Sequence, residues 1–165
     1  MTAAGKQDRP AGRGRSRSRS IPAVETVHQV IGFVVVGIFA LGWIWGLAAK
    51  LSKRGPGDLY WRWVSVAQVV AGLQAVLGIV LLLMGRRVSS GTGIANVLHY
   101  VYGLLPLLLF VIAHVIARTG TLSVVGMQHR DGTPIEVRPW TPFAWVSFIS
   151  FGLTLRALMT GMGWG

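Results

Sequence analysis

The chain has 165 residues, with 16 Lys or Arg against 5 Asp or Glu, no Cys, and 52% apolar side chains. Its charged residues avoid four windows (26–49, 63–85, 88–117 and 139–155) that together make up more than half its length. A helix of about 20 apolar residues crosses a hydrocarbon slab, and a soluble core of this size would leave too few polar residues to cover it, which excludes an ordinary water-soluble domain.

These features predict an all-α, antiparallel four-helix bundle in contact with lipid, a multi-pass protein of the cell membrane. The lack of Cys excludes disulfides, thiolate-bound zinc, iron–sulfur clusters and covalently attached c-type haem. The net charge of +11 suggests nucleic acid at first sight. The basic residues lie in the N-terminal tail and at helix ends, with no soluble domain to present them, so no nucleic-acid partner is expected.

Residues 1–21 are basic and almost free of apolar side chains, so they read as a disordered tail. The RSRSRS run biases topology as a solvated segment, with RNA or anionic lipid as the sharper alternatives. The apolar run 30–49 exceeds the roughly 7–15 residues of a secretory h-region, so the first helix, about 24–49, is read as uncleaved. Gly55, Pro56 and Gly57 break the chain before a second helix at about 61–85. Trp43, Trp45, Tyr60, Trp61 and Trp63 gather at this edge as an interfacial belt would.

The short link VSSGTG predicts a tight reversal into a third helix at about 94–117, with Pro106 as an expected kink. Residues 118–139 read as a loop with a small β-hairpin, LSVVGM pairing with PIEV around the HRDGT turn. A fourth helix is expected at about 140–159. Orientation stays open. Eight basic residues fall on the side of the termini, or nine with Arg156, against seven on the other side.

Ionisable groups inside a span cost several kcal/mol unless paired or ligated, which makes them the first candidates for function. Glu25 and His28 share a face of the first helix. His28 and His99 lie at similar depth on two helices that run parallel in an alternating bundle, the arrangement that a metal or haem iron bridging two helices requires. Gly32 and Gly103, each one turn beyond its histidine, would let a flat macrocycle approach the backbone. Alternatively, both imidazoles are neutral and hydrogen-bonded between helices, with the glycines serving packing alone. His114 belongs to the opposite interface, with His129 as a possible partner. Arg156 either snorkels to headgroups or pairs with Glu25 or a haem propionate.

The string VETVHQVIGFVVVGIFALGWIW resembles the helix of haem A synthase that carries a Glu-x-x-His-Arg motif, read here as Glu25, Thr26, Val27, His28 and Gln29. QVVAGLQAVLGIVLLLMG is similar to that family's next span, and the helix with His99 near its start resembles the one supplying its second haem-ligating histidine. The resemblance covers about residues 22–117, one half of an eight-helix, internally duplicated enzyme. It implies His28 and His99 as axial haem ligands and Glu25 as the functional carboxylate. Gln29 replaces the motif's arginine, and the second four-helix repeat is missing.

The leading expectation is a cytochrome b-like protein binding one b-type haem between His28 and His99, with Glu25, Gly32, Gly103 and Arg156 around the cofactor, for electron transfer or haem handling. The alternative is a non-catalytic component without cofactor, packing in a larger membrane complex or a homo-oligomer. In that reading Gly42 and Gly46 (GxxxG) and the Ser65, Gln68, Gly72, Ala75 stripe mediate helix association. An independent hydrolase or transferase is disfavoured, because no nucleophile lies beside a base in the apolar windows.

Overall fold

The computed structural model describes residues 20–86 and 93–164. Four helices carry the chain: α1 (Ser20–Leu51), α2 (Asp58–Leu83), α3 (Gly93–Thr119) and α4 (Thr141–Gly161). All four are long and apolar enough to cross a membrane. Side chains such as Val30, Leu41, Val69, Leu83 and Val111 point outward, as a bundle solvated by lipid allows and one solvated by water does not. The protein is a multi-pass membrane protein with an all-α four-helix bundle fold. Most of the expected tail and of the 88–93 reversal lies outside the described residues.

The breakers act where the sequence places them. Gly57 is extended, and Asp58 then opens α2 with a negative charge in its first turn, where the helix dipole favours it. Pro142 sits in the first turn of α4, where its missing N–H costs nothing. Observed helices run two to four residues beyond the expected bounds at several ends, and α1 already includes Ser20 and Ile21, which the composition had assigned to the tail.

Helix α1 packs between α2 and α4, and α3 packs mainly on α4, while the α2–α3 seam is sparse. The solid half of the bundle lies toward the loop that joins α3 to α4. There Phe39, Tyr60, Phe110 and Phe143 are buried with Val35, Val64, Ala67 and Ala113. Their rings form a chain: Phe39–Phe110 at 5.7 Å, Phe110–Phe143 at 6.4 Å, Phe143–Trp61 at 5.5 Å and Trp61–Tyr60 at 5.9 Å between centroids. Each such pair contributes about 0.5–1.5 kcal/mol beyond area burial. The expected interfacial belt is therefore only partly one. Tyr60 is fully buried, and the Trp63 indole N–H donates to the Ile38 carbonyl at 3.2 Å, tying α2 to α1.

The Gly42/Gly46 pair is used inside this half. A Cβ on Gly46 would stand 2.4 Å from the Ala144 Cβ, and one on Gly42 3.1 Å from the Ser147 hydroxyl. The GxxxG motif thus seats α1 on α4 of the same chain, which removes it from the intermolecular role that the no-cofactor reading gave it. Of the other stripe, Ser65 turns back to the Trp61 carbonyl and Gln68 meets His114.

The expected β-hairpin is not formed. Leu122–Val125 is a 3-10 turn, and only isolated bridges, Thr121 with Glu136 and Gln128 with Pro134, join the two arms. The Thr121 hydroxyl accepts from the Ser123 amide, a local bond that competes with a ladder. Pro134 has no N–H to extend one. The Asp131 carboxylate accepts from the Thr133 hydroxyl at 2.7 Å and from its amide at 3.0 Å, and these bonds hold its pKa below the usual carboxylate value, the hydroxyl contributing most. Because the folded-state value is lowered, the stabilisation is complete above the ordinary carboxylate range and fades as pH falls through the lowered one. Amide exchange at Thr133 should accordingly be slow at neutral pH and rise in acid in excess of the intrinsic pH dependence. An Asp131→Asn variant should lack that acid-dependent step.

Candidate functional site

The half of the bundle away from the aromatic core is hollow. A half-enclosed cavity of about 630 Å³ opens between all four helices, bordered by the start of α1, the end of α2, the start of α3 and the end of α4. Its volume falls within the roughly 300–1,000 Å³ of small-molecule and cofactor sites. Small residues make the space. On α2, Ala71, Ala75 and Gly78 recur at helical spacing along the cavity wall, and Gly103 on α3 lines it with nothing within 4 Å of where a Cβ would be.

His28 and His99 face each other across this space with ring centroids 6.4 Å apart and planes inclined by 61°. The His99 Nδ1 lies 2.9 Å from the Ala157 carbonyl of α4. A carbonyl only accepts, so Nδ1 carries the proton, and the neutral form of the ring would present its lone pair at Nε2. The His28 Nδ1 is buried and has no hydrogen-bond partner among the described residues. Each imidazole rests on a glycine of a neighbouring helix. A Cβ on Gly78 would meet the His28 Cε1 at 3.3 Å, and one on Gly161 the His99 Cε1 at 3.3 Å.

Of the sequence-predicted site residues, Glu25, His28, Gly32, His99 and Gly103 all line the cavity. Gly32 faces the Gln74 amide and a methyl of Leu158. Arg156 is not among the lining residues. The partner of Glu25 is instead Arg86, with Nε 2.7 Å from the carboxylate. Sequence reading missed Arg86, Gly78 and Gly161. Arg86 was legible in principle, since an alternating bundle returns the end of α2 to the side where α1 begins. His114 does not take His129 as partner. Its Nε2 lies 3.3 Å from the Gln68 side-chain oxygen, and its ring packs edge-on against Phe143.

Comparison with family models, curated proteins and solved structures finds no match. Among the described residues no cluster of three or more His, Cys, Asp or Glu could hold a metal. A bare structural or catalytic ion draws three or four ligands from protein. Two opposed imidazoles alone suit a metal whose remaining positions are already filled by a macrocycle. His28 and His99, with ring centroids 6.4 Å apart, are the residues that would hold such a group.

Proposed function

We propose that this membrane protein binds one b-type haem between His28 and His99 and serves electron transfer or haem handling in the cell membrane. The observation that supports this reading most strongly is the pair of imidazoles 6.4 Å apart in a cavity large enough for a cofactor. The likeness of residues 22–117 to one half of haem A synthase belongs to the same proposal and points the same way.

The chain's own residues divide the work. His99, oriented by the Ala157 carbonyl, offers a fixed Nε2, and such an outer hydrogen bond raises ligand basicity and sets the ring plane. His28 supplies the opposing ring from α1. Gly103 leaves open space beside the cavity for a flat ring, and Val35, Ala71 and Leu104 give it an apolar lining. A haem held by two histidines supplies one-electron chemistry at a potential set by its ligands and surroundings.

The test is a reduced-minus-oxidised absorption spectrum of the full chain, purified in detergent after expression with haem supply. A low-spin b-type α-band in the wild type that is lost in the His28→Ala, His99→Ala double variant is the expected result. A folded, haem-supplied wild type with no Soret band sinks the proposal.

A further inference from the structure

We infer that Arg86 is a carboxylate anchor at the mouth of the cavity, and that Glu25 holds this anchor until a ligand carboxylate replaces it. The inference rests on the haem reading above and concerns the edge of the ligand that the imidazoles do not touch.

The cavity is chemically graded. Inward of His28 its lining is mostly apolar, with Val35 on α1, Ala71 on α2 and Leu104 and Pro106 on α3, and with Gln74 on α2 and Thr154 on α4 as its uncharged polar members. The imidazoles stand between that floor and the rim. At the rim are the only two charged side chains among its described lining residues, Arg86 and Glu25. They form an ion pair with side chains 48% and 43% exposed. Glu25 is one helical turn from His28, so a ligand centred on the histidines reaches this pair with its outer edge. Such a ligand is amphiphilic, with a flat apolar body and an acidic edge.

The position of Arg86 is built by the backbone. Helix α2 ends in a Schellman turn: Gly85 takes φ +75°, its N–H donates to the Leu82 carbonyl at 2.9 Å, and the Arg86 N–H donates to the Leu81 carbonyl at 3.0 Å. These two bonds close the end of the helix and set where the Arg86 side chain departs. The contact with Glu25 is made through Nε, and a guanidinium offers five N–H donors in a fork that matches a carboxylate. Glu25 already neutralises this cation and would repel a second carboxylate brought against it. An incoming acid therefore competes with Glu25 for Arg86.

The experiment titrates the full chain in detergent with hemin, with metal-free protoporphyrin IX, and with the dimethyl ester of each, reading the Soret band and quenching of tryptophan fluorescence. Arg86→Gln should weaken binding of both diacids by about ten-fold to a hundred-fold, the worth of a charged hydrogen bond, and leave the esters unchanged. Glu25→Gln should tighten the diacids and not the esters. Melting temperatures of all variants show whether the fold is retained. An acid-to-ester affinity ratio that is the same in wild type and Arg86→Gln overturns the anchor. A ratio that fails to rise in Glu25→Gln overturns the competition. Histidine substitutions bear on the iron porphyrin alone, so a hemin affinity that does not exceed that of the metal-free porphyrin and is unchanged in the His28→Ala, His99→Ala double variant defeats the haem reading, while an acid preference that still responds to Arg86 leaves the anchor standing. Binding of no porphyrin by the wild type overturns both.

Discussion

On the proposed haem reading, His99→Ala is expected to abolish stable haem binding, whereas His28→Ala should leave a weakly held haem on one histidine. The two rings line the same cavity but are not equally prepared. The His99 ring is fixed by its bond to the Ala157 carbonyl and lies against Gly161, so its Nε2 points one way before any ligand arrives. His28 has no such partner for its Nδ1 among the described residues. Removing an outer hydrogen bond to a metal ligand alone costs about 10–100-fold in affinity, so losing the oriented ligand itself should exceed that range. The measurement is hemin titration of each purified single variant, with spin state read from the absorption spectrum and electron paramagnetic resonance. A high-spin species in His28→Ala and no retained haem in His99→Ala is the expected pattern. Unchanged low-spin bands in either variant would show that the altered histidine is not a ligand.

Gly46→Leu should unfold or grossly destabilise the bundle, and Gly46→Ala should destabilise it measurably. A Cβ at position 46 falls 2.4 Å from the Ala144 Cβ and 3.2 Å from its Cα. The second atom is backbone, so no rotamer change relieves the clash and α1 must move away from α4. Overpacking of this kind costs about 1–3 kcal/mol for a small group and more for a large one. The displacement would also disturb the cavity, because the same two helices carry His28 and the Ala157 carbonyl. Gly37 on the same helix has nothing within 4 Å of a Cβ. Gly37→Ala is thus a control, expected to be neutral or to stabilise by up to about 1 kcal/mol through helix propensity. Thermal unfolding in detergent reads both. Ala144→Gly combined with Gly46→Ala should recover part of the loss, and a double-mutant cycle isolates the contact. Equal melting temperatures for wild type and Gly46→Ala would contradict the α1–α4 contact.

The clash at Gly46 could not be assigned to a partner from the sequence. GxxxG announces a close helix contact but does not say whether the other surface lies in the same chain or another. Ala144 and Ser147 on α4 answer that, and they are ordinary small residues until two helices meet. The histidine pair was more legible. An even alternation of spans places the starts of α1 and α3 on one side of the membrane, so the depths of His28 and His99 follow from counting residues. Whether the rings face each other depends on how each helix is rotated about its axis, which counting does not give.

Local chemistry misled the reading in one place. The 118–139 segment has the residues of a hairpin, yet the Thr121 hydroxyl captures the Ser123 amide and the arms meet only at isolated bridges. Short side chains that bond their own backbone can outweigh β-propensity when no third strand supports a ladder.

Four spans, their breakers and the depth of each ionisable group follow from residue order alone, because a hydrocarbon slab penalises every charge and every unsatisfied peptide group and so writes its thickness directly into composition. Helix packing settles the rest: which helices touch, that the small residues of α2 and α3 leave a cavity rather than a seam, that Gly78 and Gly161 receive the imidazoles, and that Glu25 meets Arg86 rather than Arg156. Those outcomes depend on the rotation and contact order of the helices. In lipid these are set by steric fit between particular side chains, since the hydrophobic pattern gives almost no preference for one helix face over another.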